Sequence, residues 1–248
     1  MSDVVTSVEM FEKPELNNPT VICGLPGIGN VGKLVADYLA IELRAKLFCQ
    51  IYSNTFPSQI LINSKESELM KNDLYYTKDP DLVILCGNSQ PVDCLGMYQV
   101  GEEIIAIGKE LNVKTVITLA AYVSGYQGKK PRVFRAATDP EVIEQLGKLG
   151  VVKMHEGSIS GLNGLLLGLC KLYDVNGICL LGETSGRELS DLKAARAVIK
   201  ILNKMLNVDI DLGGIEQADQ VKEDLIRETQ TYKKPGGDDD EGYLIQYG

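Results

Sequence analysis

The 248-residue sequence has no tryptophan, one histidine (His155) and four phenylalanines. So few flat aromatic faces argue against a carbohydrate platform or a stacking surface for single-stranded nucleic acid. Positive charge is also short: 25 Lys and Arg face 34 Asp and Glu, a net charge of −9. Phosphate backbones are held by cations that displace counterions, so nucleic acid is not an expected partner. No apolar run reaches the ~20 residues that span a bilayer. The opening "MSDVVTSVEM" lacks the basic flank and apolar stretch of a secretory signal. No membrane partner is expected, and the protein is placed in the cytoplasm. None of the six cysteines forms a CxxC pair, and His155 cannot complete a zinc site alone, so neither metal nor cofactor is expected. The cysteines sit mostly in apolar stretches such as "TVICGL" and "GICLLG" and read as buried, reduced thiols.

What is present is an ordinary core-forming composition, 44% apolar and 24% charged. Val- and Ile-rich runs lie at 20–25, 46–52, 82–86, 115–120 and 177–181. Candidate helices alternate with them at 31–43, 97–111, 139–149, 162–172 and 191–206. Continuous apolar runs suit strands buried on both faces. The alternation predicts βαβ units in an α/β fold, a three-layer α/β/α domain with a mostly parallel sheet. The clearest helix begins at Asp191, which caps or starts it. Its Ala195, Val198, Ile199 and Leu202 keep helical spacing. Three regions result: a core over 1–212, a C-terminal helix over 213–234, and a flexible acidic tail over 235–248. The C-terminal helix has a narrow stripe of Ile215, Ala218, Val221 and Leu225, which fits a peripheral helix or a subunit contact equally.

Between the first strand and helix, "GLPGIGNVGK" places Gly27, Gly29 and Gly32 as GxGxxG. A dinucleotide site then needs a carboxylate about 20 residues on, where the sequence reads Tyr52, Ser53, Asn54, Thr55. A phosphate loop needs Ser or Thr after Lys33, and Leu34 stands there. Two readings remain. One is a tight turn whose glycines allow close packing. The other is an anion or ligand loop of Gly27, Gly29, Asn30, Gly32 and Lys33 at a helix N-terminus. Glu183, following a strand at the edge where α/β ligands bind, would join it. A second segment, "GSISGLNGLLLGL", carries Gly157, Gly161, Gly164 and Gly168. It reads either as close helix packing or as a second small-ligand loop.

The tail changes composition abruptly after Lys234. Pro235, Gly236 and Gly237 break structure, and Asp238, Asp239, Asp240 and Glu241 repel one another. Yet Tyr243, Leu244, Ile245 and Tyr247 form an apolar cluster at its end. Such a cluster on an acidic tether fits docking into a partner, or folding back onto its own domain.

The ordered series "GLPGIGNVGKLVADYL", "FPSQILI", "GSISGLNGLLLGL" and "LLGETSG" resembles the proteasome assembly chaperone family in its archaeal form. The resemblance runs from about Val21 to Leu212. It implies a phosphorylase-like α/β/α fold without an established catalytic site, a homo-oligomer, and the proteasome core particle as partner. It further implies that a C-terminal hydrophobic–Tyr–any residue motif inserts between core-particle α subunits. Tyr247 and Gly248 match that motif; Gln246 stands in the hydrophobic position, with Ile245 beside it. The expected function is therefore a non-catalytic assembly chaperone or activator docking through Ile245, Gln246, Tyr247 and Gly248. The runner-up is a phosphorylase-like enzyme or anion- or nucleotide-binding protein using Gly27–Lys33.

Overall fold

The structure, a computed structural model, describes residues 5–62 and 67–215. The tail residues, and the C-terminal helix beyond Ile215, lie outside them. Among the described residues the strands, in chain order, are β1 Thr6–Met10, β2 Thr20–Gly24, β3 Lys46–Ser53, β4 Ile60–Ile62, β5 Ser67–Leu69, β6 Asn72–Lys78, β7 Asp81–Gly87, β8 Thr115–Val123, β9 Val133–Ala137, β10 Val152–Lys153 and β11 Asn176–Thr184. The helices are α1 Val31–Glu42, α2 Cys94–Glu110, α3 Pro140–Lys148, α4 Gly161–Leu172 and α5 Leu192–Leu206. Strands β4 and β5 form a separate hairpin; the other nine make one sheet in the order β1-β3-β6-β7-β2-β8-β11-β9-β10.

The five helices and five strands predicted within residues 20–206 all form, and the α/β architecture is as expected. The sheet is mixed rather than mostly parallel. Its centre, β7-β2-β8-β11, is parallel, whereas β1, β3 and β6 add antiparallel to one side and β9 adds antiparallel to the other. At β6 the antiparallel step follows from a two-residue link, Asp79–Pro80, which can only reverse the chain between β6 and β7.

Alternate residues of the central strands divide between two helical layers. Ile22, Ile84, Ile117 and Leu180 pack with Val35, Leu39, Val198 and Leu202 of α1 and α5. On the other face Val21, Cys23, Val83 and Val116 pack with Ile104, Ile105, Leu162 and Leu166 of α2 and α4. Fully burying each such side chain is worth about 1.5–3 kcal/mol, which is why the centre of the sheet organises the domain.

The five helices end alike. The residue after each last turn is left-handed: Arg44, Asn112, Gly150, Asp174 and Asn207. The next N–H then reaches back across the turn, as from Ala45 to the Ala40 carbonyl and from Val113 to that of Gly108. This wrap satisfies the orphan carbonyls of the helix end. Five of the six cysteines are buried, as expected, but Cys94 is exposed at the start of α2. There Asp93 caps the helix by accepting from the Gly96 N–H at 2.7 Å, so that α2 begins three residues before the predicted start at 97.

Candidate functional site

The carboxyl ends of β2, β8 and β11 meet the two glycine segments at one edge of the sheet. Gly24 and Gly32 belong to its packing. A Cβ on Gly24 would overlap the Gly32 carbonyl and the Ala36 side chain, and one on Gly32 would overlap the Leu119 carbonyl oxygen. α1 therefore lies against β2 and β8 at backbone distance, as the packing reading requires. Gly29 is left-handed, at φ 59°, and its carbonyl accepts from the Asp191 N–H at 2.8 Å. The Asn30 amide donates to the Leu189 carbonyl at 3.1 Å. The turn is thus tied to the connection between β11 and α5. Gly27 is extended, with open space where a Cβ would go.

Lys33 does not face the turn. Its Nζ donates to the Gly87 carbonyl at 2.8 Å and pairs with Asp37, one helical turn on, at 3.1 Å. The Gly27–Lys33 segment is thereby divided: Gly27 and Gly32 line one cavity, while Lys33 lines a different cleft with Asp37, Asp73 and Tyr75.

Glu183 has partners that sequence could not show. Its carboxylate is 1% exposed. It accepts from Arg132 Nε at 3.0 Å, Arg132 Nη2 at 2.6 Å, the Arg132 backbone N–H at 3.0 Å and Ser124 Oγ at 2.8 Å. The Arg132 guanidinium, outweighing the opposing pull of burial, holds the carboxyl at about 2, with the Arg132 N–H and Ser124 hydroxyl helping. A carboxylate with four donors is a clasp on the segment between β8 and β9, not a base awaiting a proton. Asp191 is equally committed: Oδ1 accepts from the Ala194 N–H at 2.9 Å, capping α5, and Oδ2 accepts from Thr184 Oγ1 at 2.6 Å.

The second glycine segment departs from its packing reading. Gly164 meets the Ile159 carbonyl of its own loop and Gly168 faces open space. The close helix contact falls instead at Gly101 of α2, against Leu169. Between the two segments lies a cavity of about 380 Å³, lined by Gly27 and Gly32 on one side and Ser158, Ser160 and Gly161 on the other. Gln90, which sequence reading missed, straps its mouth: Nε2 donates to the Pro26 carbonyl at 2.5 Å and Oε1 accepts from the Leu162 N–H at 2.6 Å. Its position just beyond β7, at the ligand-binding edge, was the available signal. Among the described residues no cluster of His, Cys, Asp and Glu could hold a metal ion. No helix there is long and apolar enough to cross a membrane. Ile245, Gln246, Tyr247 and Gly248 lie outside the described residues.

The mixed sheet, the two helical layers and a glycine turn packed against backbone at Gly24 and Gly32 define the class, an α/β/α domain. The chain belongs to the PAC2 family, whose model matches residues 21–229. It is similar to Pyrococcus furiosus PbaB, an archaeal proteasome activator, at 36% identity and a TM-score of 0.80, over 91% of this chain and 98% of that one. It is also similar to Pyrococcus furiosus PbaA, an archaeal homolog of proteasome-assembly chaperone, at 28% identity and a TM-score of 0.77, over 91% and 97% of the two chains. Uncharacterized protein MJ1210 of Methanocaldococcus jannaschii is 32% identical over 222 residues, 88% of this chain and 86% of that protein. The family expected from the motifs is the family found.

Proposed function

We propose that this protein is a chaperone or activator of the proteasome core particle that acts through binding rather than catalysis. The observation that carries the proposal is the near end-to-end likeness to PbaB, a proteasome activator, at 36% identity. The body forms a homo-oligomer in the cytoplasm, and its tails dock between core-particle α subunits. In each tail the Gly248 carboxylate and the Tyr247 ring make the principal contact, and Ile245 and Gln246 set the approach. One tail binds weakly. Several presented together gain avidity, by ~10²–10⁴ where the geometry lets them engage at once. The committed state of Glu183, Asp191 and Lys33 supports a non-catalytic role, since each is already bonded within the fold.

The test is surface plasmon resonance of the intact protein and of a chain lacking Gln246–Gly248 on immobilised core particle, with peptide hydrolysis followed in parallel. The intact protein is expected to bind, and the truncation to lose at least tenfold in affinity through lost avidity. Equal binding by both would move recognition to the body. Absence of binding by either would remove the proteasome assignment.

A further inference from the structure

We propose that a basic cleft between the β8–β9 segment and the β11–α5 connection binds the chain's own acidic run, Asp238–Glu241, and that the apolar shelf beside it takes Tyr243–Ile245. The cleft holds about 350 Å³, with Arg187 and Lys193 on one wall and Tyr126 and Pro131 on the other. Lys129, Lys130 and Arg132 flank Pro131 in the second wall. The Tyr126 hydroxyl braces that wall, donating to the Lys130 carbonyl at 3.0 Å and accepting from its N–H at 3.2 Å.

Charge sets the cleft apart from the rest of the chain. The whole sequence carries −9, yet five exposed cations here meet three acids, Glu183, Glu188 and Asp191, a local excess of two. Two of the acids are already committed. Glu183 is paired with Arg132, and Asp191 is bonded to Thr184 and to the Ala194 N–H. Lys129, Lys130, Arg187 and Lys193 make no ion pair among the described residues. Like charges gathered this way repel one another until an anionic segment lies among them.

The shelf supplies a second, independent match. Ile28, Val123 and Leu189 are 53%, 49% and 90% exposed. A Cβ on Gly186 would touch Val123, and the Asn30 amide holds the Leu189 carbonyl, which gathers the three around the β11–α5 connection. Along the tail the order is an acidic run, Gly242, then Tyr243, Leu244 and Ile245. The cleft fits the first part and the shelf the second.

The described chain also ends close by. Arg196, one turn along α5 from Lys193, donates through Nε and Nη2 to the Leu212 carbonyl at 3.2 and 3.0 Å, and the last described residue is Ile215. The 22 residues of 216–237 can span up to ~70 Å, several times the ~17 Å radius of gyration of such a domain. A tether of this kind presents its end at millimolar effective concentration, which favours the chain's own tail over that of another copy. On the docking reading above, the body holds the apolar cluster until the core particle competes for it.

The test is carbodiimide crosslinking of an equal mixture of ¹⁴N- and ¹⁵N-labelled full chain, mapped by mass spectrometry. Asp238–Glu241 are expected to link to Lys129, Lys130 and Lys193, each pair within one isotope. Yields should fall about threefold or more in about 0.5 M NaCl, where charges are screened beyond ~4 Å. Arg187→Gln removes no reactive group, yet it should lower them about twofold. Links chiefly to lysines elsewhere, such as Lys78 or Lys148, or no links at all, would overturn the cleft. Pairs of mixed isotope would overturn the choice of the chain's own tail, and yields indifferent to salt the role of charge. The mixture contains no core particle, so failure here leaves the docking test standing, and failure there leaves this one.

Discussion

Two glycine segments stand side by side at the carboxyl edge of the sheet, and their glycines serve opposite ends. In the first, Gly24 and Gly32 are crowded by backbone on both sides. In the second, Gly164 meets a carbonyl of its own loop, but Gly157 and Gly161 are left-handed and border a cavity, and Gly168 faces open space. Spacing does not tell the two apart. What separates them is whether another chain segment occupies the volume a Cβ would take.

The largest expected effect breaks the first segment. Gly32→Ala drives a methyl into the Leu119 carbonyl, an overlap that backbone cannot relieve by a rotamer change. It should cost about 3 kcal/mol or more in urea denaturation. A loss below 1 kcal/mol would show that α1 can slide on the sheet.

Glu183→Gln asks whether the same edge also depends on charge. The folded carboxyl titrates at about 2 against an ordinary 4.5. Its contribution is therefore complete above pH ~4.5 and vanishes as pH falls towards ~2. The variant should be less stable by roughly 2–3 kcal/mol at neutral pH, and its deficit should shrink across that window. Denaturation curves of both proteins from pH 7 to pH 3 would decide it. A deficit independent of pH would assign the clasp to shape rather than charge.

Gly168→Ala reverses the sign. At an exposed helical position with free space around it, alanine removes backbone freedom from the unfolded chain and should stabilise by about 0.5–1 kcal/mol. Smallest of all, Gly27→Ala should change stability by under ~0.5 kcal/mol, because Gly27 is extended and uncrowded. Comparable effects at Gly27 and Gly32 would dissolve the distinction drawn here.

The centre of the fold was legible because β2, β7, β8 and β11 are buried on both faces and so read as unbroken apolar runs. The flanks were not. β1 is largely exposed, β6 mixes Asn72, Asp73 and Lys78 with its tyrosines, and β9 carries a buried Arg135 whose Nε donates to the Ile143 carbonyl. Such strands owe their place to neighbours, not to their own hydrophobicity. At the candidate site, the glycines were visible but their crowding was not. Arg132 lies 51 residues from Glu183 and Gln90 lies 72 from Leu162, so only folding reveals either pair. The exposed Cys94 was misread because neighbouring residues of a helix can face opposite ways. The shared endings Leu43–Arg44–Ala45, Leu111–Asn112–Val113 and Leu149–Gly150–Val151 were a repeated helix-stop signal in plain view.

Those endings also constrain how the chain can change in length. In four of the five helices the wrap hands the chain to a strand almost at once, from Arg44 to Lys46, Asn112 to Thr115, Gly150 to Val152 and Asp174 to Asn176. The helix end therefore sets the phase in which the strand enters the sheet. One residue inserted between Val113 and Thr115 would turn Val116, Ile117 and Leu119 to the wrong layers. Length variation tolerated by this domain should accordingly collect where chain runs free of that coupling, as between β8 and β9, and be purged from the short steps that follow each helix.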